Sequence, residues 1–205
     1  MDETTNITAV IFDMGGVVVE LGPITDILGD DPLPVEVFWE RWLASDAVRT
    51  FEMGHSSVEE FGEALIAEMG MDMTGPELVE RFRAWPRGLF DESEQLIADI
   101  ADGISVGVLS NTNALHWDHQ RDHERVKALF PKHVYLSFQM GLAKPDAPIF
   151  NAIVADLGVA AQSVLFLDDN QINVDGARAA GLEAEVTKGP AEARAVLADR
   201  GLLRA

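Results

Sequence analysis

Short apolar runs alternate with longer stretches of helical periodicity along this chain of 205 residues. ITAVIF (7–12), SVGVLS (105–110), HVYLS (133–137) and SVLFL (163–167) read as buried strands, with EAEV (183–186) a weaker fifth. Near-continuous apolar runs separated by helices indicate strands covered on both faces, as in a parallel sheet. DESEQLIADIAD (91–102), APIFNAIVADL (147–157) and AEARAVLAD (191–199) supply intervening helices. Asp91 and Glu94 have the spacing of a capping box, the reciprocal pairing that closes a helix N-terminus. The pattern predicts an α/β fold, doubly wound, with a mainly parallel sheet.

Residues 20–85 break this rhythm. Helices are expected near 34–46, 57–69 and 76–84, with Ser57 and Glu60 as a second capping-box pair, and no stretch reads as a convincing strand. A crossover between parallel strands needs only about a dozen residues. The surplus predicts a small α-helical cap inserted after the first strand, the core being 1–19 with 86–205. Phe38, Trp39, Trp42, Phe51, Phe61, Phe82 and Trp85 fall here. Most are expected in the cap's own core, one or two on a pocket wall.

Charge narrows the partners. Acids outnumber bases 35 to 15, a formal net charge of −20. That field repels nucleic acid and anionic membrane surfaces, and an anionic substrate would need local positive charge. Cysteine is absent, which excludes disulfides and thiolate chemistry. MDETTNITAV lacks the basic, apolar and cleavage regions of a secretory signal. No apolar run nears the roughly 18 residues that span a bilayer. A cytoplasmic monomer or homodimer is expected.

Ligands of open α/β sheets bind beyond the carboxyl ends of the strands. Those ends carry Asp13, Ser110, Lys144 and the pair Asp168–Asp169. Singly, each has an ordinary explanation: acids in turns, a loop serine, a solvated lysine, a helix cap. Adjacent carboxylates after an apolar strand are harder to explain, since like charges repel unless a cation sits between them. Jointly, carboxylates able to hold Mg²⁺ and a lysine able to neutralise phosphate converge on one predicted crevice.

FDMGGVVV, LSNTN, Lys144–Pro145 and LDDNQINVDGA resemble, in order and spacing, the four motifs of the haloacid dehalogenase superfamily of hydrolases. The resemblance covers nearly the whole chain. It is nearest to sugar-phosphate phosphatases of the α-glucose-1-phosphatase type and to the phosphatase half of soluble epoxide hydrolases. It implies that Asp13 is the nucleophile, forming an aspartyl phosphate. Mg²⁺ would be held by Asp13, the Gly15 carbonyl and Asp169, with Asp168 acting through bound water. Ser110, assisted by Asn111, and Lys144 would bind the transferring phosphoryl group of a small phosphorylated metabolite such as a sugar phosphate.

One departure stands out. Many phosphatases of this superfamily carry a second Asp two positions after the nucleophile, as general acid. Gly15 occupies that position, and losing a general acid costs about 10²–10⁴ in rate. His55 and His116 are candidate replacements, each read first as a surface or substrate-contact residue. His116, His119, His123, Asp118 and Asp122 could suggest zinc, but a solvated polar helix accounts for them. Two other readings compete. A 2-haloacid dehalogenase would use Asp13 and Lys144 without metal, and Asp168 with Asp169 argues against it. A non-catalytic binding module fits Gly15 but not the retention of Asp13, Ser110, Lys144 and Asp169.

Overall fold

A computed structural model describes residues 6–29, 31, 33–119 and 121–204. Among them, five strands form a parallel sheet: β1 (Ala9–Phe12), β4 (Ser105–Ser110), β5 (His133–Leu136), β6 (Val164–Asp168) and β7 (Glu183–Val186), in the order β5-β4-β1-β6-β7. All five expected strands are present, within one or two residues of their expected ends. A separate antiparallel pair, β2 (Val19–Leu21) with β3 (Pro86–Leu89), corrects the expectation that no strand lies between the first and second of the sheet.

Alternation within each strand feeds two layers. Val10 and Phe12 of β1, with Leu165 and Leu167 of β6, point into one apolar cluster. Ala9 and Ile11, with Val164 and Phe166, point into another. α6 (Ser93–Ala98), α8 (His123–Leu129) and α12 (Gly189–Asp199) cover the first face through Leu96, Val126 and Leu197. α10 (Ala147–Leu157) and α11 (Gln171–Ala179) cover the second through Ile149, Phe150 and Val174. Two short helices, α7 (Ala114–His119) and α9 (Ser137–Met140), follow β4 and β5 at the carboxyl edge. The fold is the doubly wound α/β class.

Between β2 and β3 lie α1 (Thr25–Leu28), α2 (Val35–Ala44), α3 (Asp46–Glu52), α4 (Val58–Met69) and α5 (Gly75–Arg83). They surround a third cluster built on Phe38, Trp42, Phe51, Phe61, Leu65, Leu78 and Phe82. Phe51 stacks on Phe61 at a centroid distance of 4.3 Å. The capping box at α4 forms in full, Ser57 Oγ accepting from Glu60 N at 3.1 Å and Glu60 Oε2 from Ser57 N at 2.8 Å. The one proposed for Asp91 and Glu94 does not, because α6 starts later and its N-cap is Glu92, with no side-chain capping bond.

Candidate active site

Register sets the chemistry's position. Phe12 pairs with Val108 on one side and Leu167 on the other. Asp13 therefore leaves the sheet beside Ser110 and Asp168. Its own N–H still donates to the Leu167 carbonyl at 2.7 Å. Asp13, Ser110, Lys144 and Asp169 all line one cavity of about 730 Å³ at this edge. The expected convergence is realised in space.

At its floor one ammonium serves two carboxylates. Lys144 is 3% exposed, and its Nζ donates to Asp13 Oδ1 at 2.7 Å and to Asp168 Oδ2 at 2.6 Å. It also lies 5.3 Å from the centre of the Phe166 ring. Burial opposes the lysine's charge, but Asp13 and Asp168 outweigh it and hold its pKa above the ordinary range. Burial pushes the Asp13 carboxyl up to about 8 against the pull of Lys144, with Asp168 and Asp169 adding to the rise. Burial raises Asp169 as well.

A third acid, Asp169, stands beside the two that share the lysine. Oxygens of Asp13, Asp168 and Asp169 lie within 4.8 Å of one another, close enough to hold one hard cation such as Mg²⁺. Excess negative charge and an all-oxygen donor set fit that ion. Gly15 lines the cavity beside them. Gly16 adopts φ 76°, and a Cβ there would come 2.5 Å from Asp169 Oδ2. The second glycine of the motif is therefore the one the close approach requires.

Two expected roles look different in space. The Asn111 side chain is engaged by the Lys144 backbone, Nδ2 donating to its carbonyl at 3.0 Å and Oδ1 accepting from its N–H at 2.9 Å. Those two bonds hold the Lys144 backbone in place. Asp168 is fully buried, and besides Lys144 it accepts from Asn170 N at 2.8 Å and Asn173 Nδ2 at 3.1 Å. Holding the ammonium is thus its direct contact. Ser110 is buried with Oγ 3.5 Å from the Asn111 carbonyl, a contact long enough to yield to a ligand.

The histidines fall apart as a set. His116 lines the cavity but is buried, not on a solvated face, and packs 4.1 Å from the Phe82 ring centre. Its Nε2 lies 2.7 Å from the Phe82 carbonyl, and burial lowers its pKa to about 4. Facing a carbonyl, Nε2 is the donor of that contact, and burial disfavours the charged ring. His55 is exposed and away from the cavity lining. Among the described residues, no zinc-type cluster forms around α7.

The helical insertion supplies the opposite wall. Trp39, Trp42, Phe82 and Trp85 line it, four of the seven insertion aromatics rather than one or two. Arg49 and Glu52 line it too, one helical turn apart on α3. Arg49, Lys144 and Lys188 provide the local positive charge that the acidic chain requires. Nothing in the sequence separated Arg49, Glu52 or Lys188 from solvated surface charge.

A doubly wound sheet with a buried carboxylate cluster and a lysine at its carboxyl edge defines a class of hydrolases built around an aspartate. The chain belongs to the haloacid dehalogenase-like hydrolases, whose family model matches residues 7–181. It is 32% identical over 189 residues to Phosphatase MT3486 of Mycobacterium tuberculosis, covering 87% of this chain and 86% of that one. It is 28% identical over 195 residues to D-ribitol-5-phosphate phosphatase of Bacteroides thetaiotaomicron, covering 85% and 88%. A solved HAD family enzyme from B. thetaiotaomicron, in complex with magnesium and inorganic phosphate, shares the fold with a TM-score of 0.69. That likeness has 24% identity and covers 89% of this chain and 95% of that one. Among the described residues, no helix is long and apolar enough to cross a membrane.

Proposed function

We propose that this protein is a Mg²⁺-dependent phosphatase acting on a small phosphorylated metabolite, with Asp13 as nucleophile. The observation that carries the reading is the buried Lys144 bridge between Asp13 and Asp168 beside Asp169, at the floor of a substrate-sized cavity. The phosphatase relatives support it, as does the shared fold of a magnesium and phosphate complex. In this reading residues 20–85 are a cap over a core of 1–19 and 86–205, and their aromatic wall contacts the substrate's organic part.

Asp13, Asp169 and the Gly15 carbonyl would hold Mg²⁺, which when bound lowers the repulsion between the nucleophile and the phosphoryl oxygens. Lys144 holds one Asp13 oxygen and orients the other toward phosphorus. Ser110 turns its hydroxyl to a phosphoryl oxygen. Asn111 and Asp168 fix Lys144 from its backbone and its ammonium. Catalysis is then mostly positioning and charge neutralisation around a covalent aspartyl phosphate. The acid trio that suits a cation counts against metal-free dehalogenation.

Assaying purified protein on a panel of phosphate esters tests this. Turnover should disappear on adding EDTA and return with Mg²⁺. Turnover indifferent to chelation, or halide release from chloroacetate without metal, would reverse the assignment.

A further inference from the structure

We propose that Glu52, brought to the cavity by α3, donates the proton to the leaving group that Gly15 cannot supply; this rests on the phosphatase reading above. Expulsion of an alkoxide from a phosphate ester is slow without a proton donor, and position 15 has no side chain. Among the described residues lining the cavity, the acids are Asp13, Asp46, Glu52 and Asp169. Asp13 and Asp169 belong to the cation cluster. Asp46 is exposed in the first turn of α3. His116 is committed to the Phe82 carbonyl. Glu52 remains.

Its position is built into the fold. Ser45 caps α3, its Oγ accepting from Val48 N at 3.1 Å. At the other end the Ser137 hydroxyl, at the start of α9, donates to the Glu52 carbonyl at 2.6 Å. The same Oγ accepts from Thr112 N at 2.9 Å, tying the end of α3 to the loop that carries Ser110. The Asn111 side chain, which pins Lys144, is also an electrostatic neighbour of the Glu52 carboxyl.

The surroundings suit a carboxyl that carries a proton near neutral pH. Burial raises its pKa to about 7, with Lys144 and Arg49 pulling it down. The C-terminal end of a helix also disfavours negative charge. Arg49 pairs with Asp146, and Lys144 with Asp13 and Asp168, which tempers their pull on Glu52. Lys188, Asp169 and Asp46 face the same cavity. A donor with a pKa near working pH is the efficient kind.

The steps balance. An Asp13 oxygen bonds to phosphorus as the bond from phosphorus to the ester oxygen breaks, its electron pair staying on that oxygen. The Glu52 proton transfers there, giving the alcohol and a Glu52 carboxylate. Water then attacks the aspartyl phosphate at phosphorus, its proton returns to Glu52, and inorganic phosphate and the Asp13 carboxylate are released.

The test is alcohol release in the first turnover, with Mg²⁺ present, from an alkyl phosphate and from 4-nitrophenyl phosphate. The nitrophenolate leaves without a proton. E52Q should slow release from the alkyl ester by about 10²-fold or more, while still giving a burst of nitrophenolate from the aryl ester. Wild-type alkyl release should fall above a pH of about 7 with no matching fall for the aryl ester, a readout that does not depend on the variant folding. Equal slowing of both esters by E52Q, or slowing of neither, or no difference between the wild-type pH profiles, would overturn the role of Glu52 alone. A wild type inactive on both esters would overturn the phosphatase reading itself.

Discussion

Asp13→Asn should reduce phosphate-ester turnover by about 10⁴-fold or more, the scale of loss when a nucleophile is removed, and leave the protein folded. The two results together are what make the prediction specific. Asp13 is one of three clustered acids, two of which share a single ammonium, and burial raises its pKa. An acid whose folded pKa is raised destabilises the fold once pH exceeds its unfolded value, increasingly so up to the folded one. Replacing that carboxyl by an amide removes the cost, and Lys144 keeps Asp168 as its partner. Without metal at pH 8, the melting temperature of D13N should therefore equal or exceed that of the wild type. Kinetics and thermal melts on the same preparation check both. A variant that loses activity only because it unfolds would show that Asp13 is structural.

Lys144→Met should behave in the opposite way. Its ammonium is buried and bonded to two carboxylates, and removing it leaves both in the interior with no countercharge. Breaking a buried pair from one side costs about 3–5 kcal/mol, a large part of the roughly 5–15 kcal/mol that stabilises a typical domain. Turnover by the remaining folded protein should drop at least about 10²–10³-fold, as when a donor to transition-state charge is removed. Urea unfolding measures the first effect and kinetics in the native baseline the second. A midpoint close to the wild type's would mean that the bridge is not the organising contact of the site.

Most of the frame was legible because it follows from local patterning. Val10 and Phe12 against Ala9 and Ile11 feed opposite faces, and a strand buried on both sides can only appear as a continuous apolar run. The β2–β3 pair was hidden for an equally physical reason. Pro86 and Gly88 are poor strand residues, and each strand is short, with its ladder partner distant in sequence. The Asp91–Glu94 spacing was misleading because a capping box needs the helix to begin at that residue, and α6 begins later.

In the site, residues that end strands were readable and residues that reach it from the insertion were not. Asp13, Ser110 and Asp168 occupy places fixed by the sheet, and Lys144 is brought beside them by the loop that Asn111 pins. Glu52 in sequence is one acid among 35 acidic residues. Only the Ser137 bond to its carbonyl and its place on the cavity wall distinguish it. His116 was placed at the right edge, but its burial and its bond to Phe82 depend on α5 packing over α7, which no local pattern displays.

Mass spectrometry of the Mg²⁺-loaded enzyme, acid-quenched during turnover, tests the central claim most directly. One phosphoryl group should appear on the peptide containing Asp13, be released by hydroxylamine as an acyl phosphate is, and be missing from D13N. Phosphorylation elsewhere, or rapid turnover with no phosphoryl group on the Asp13 peptide, would contradict it.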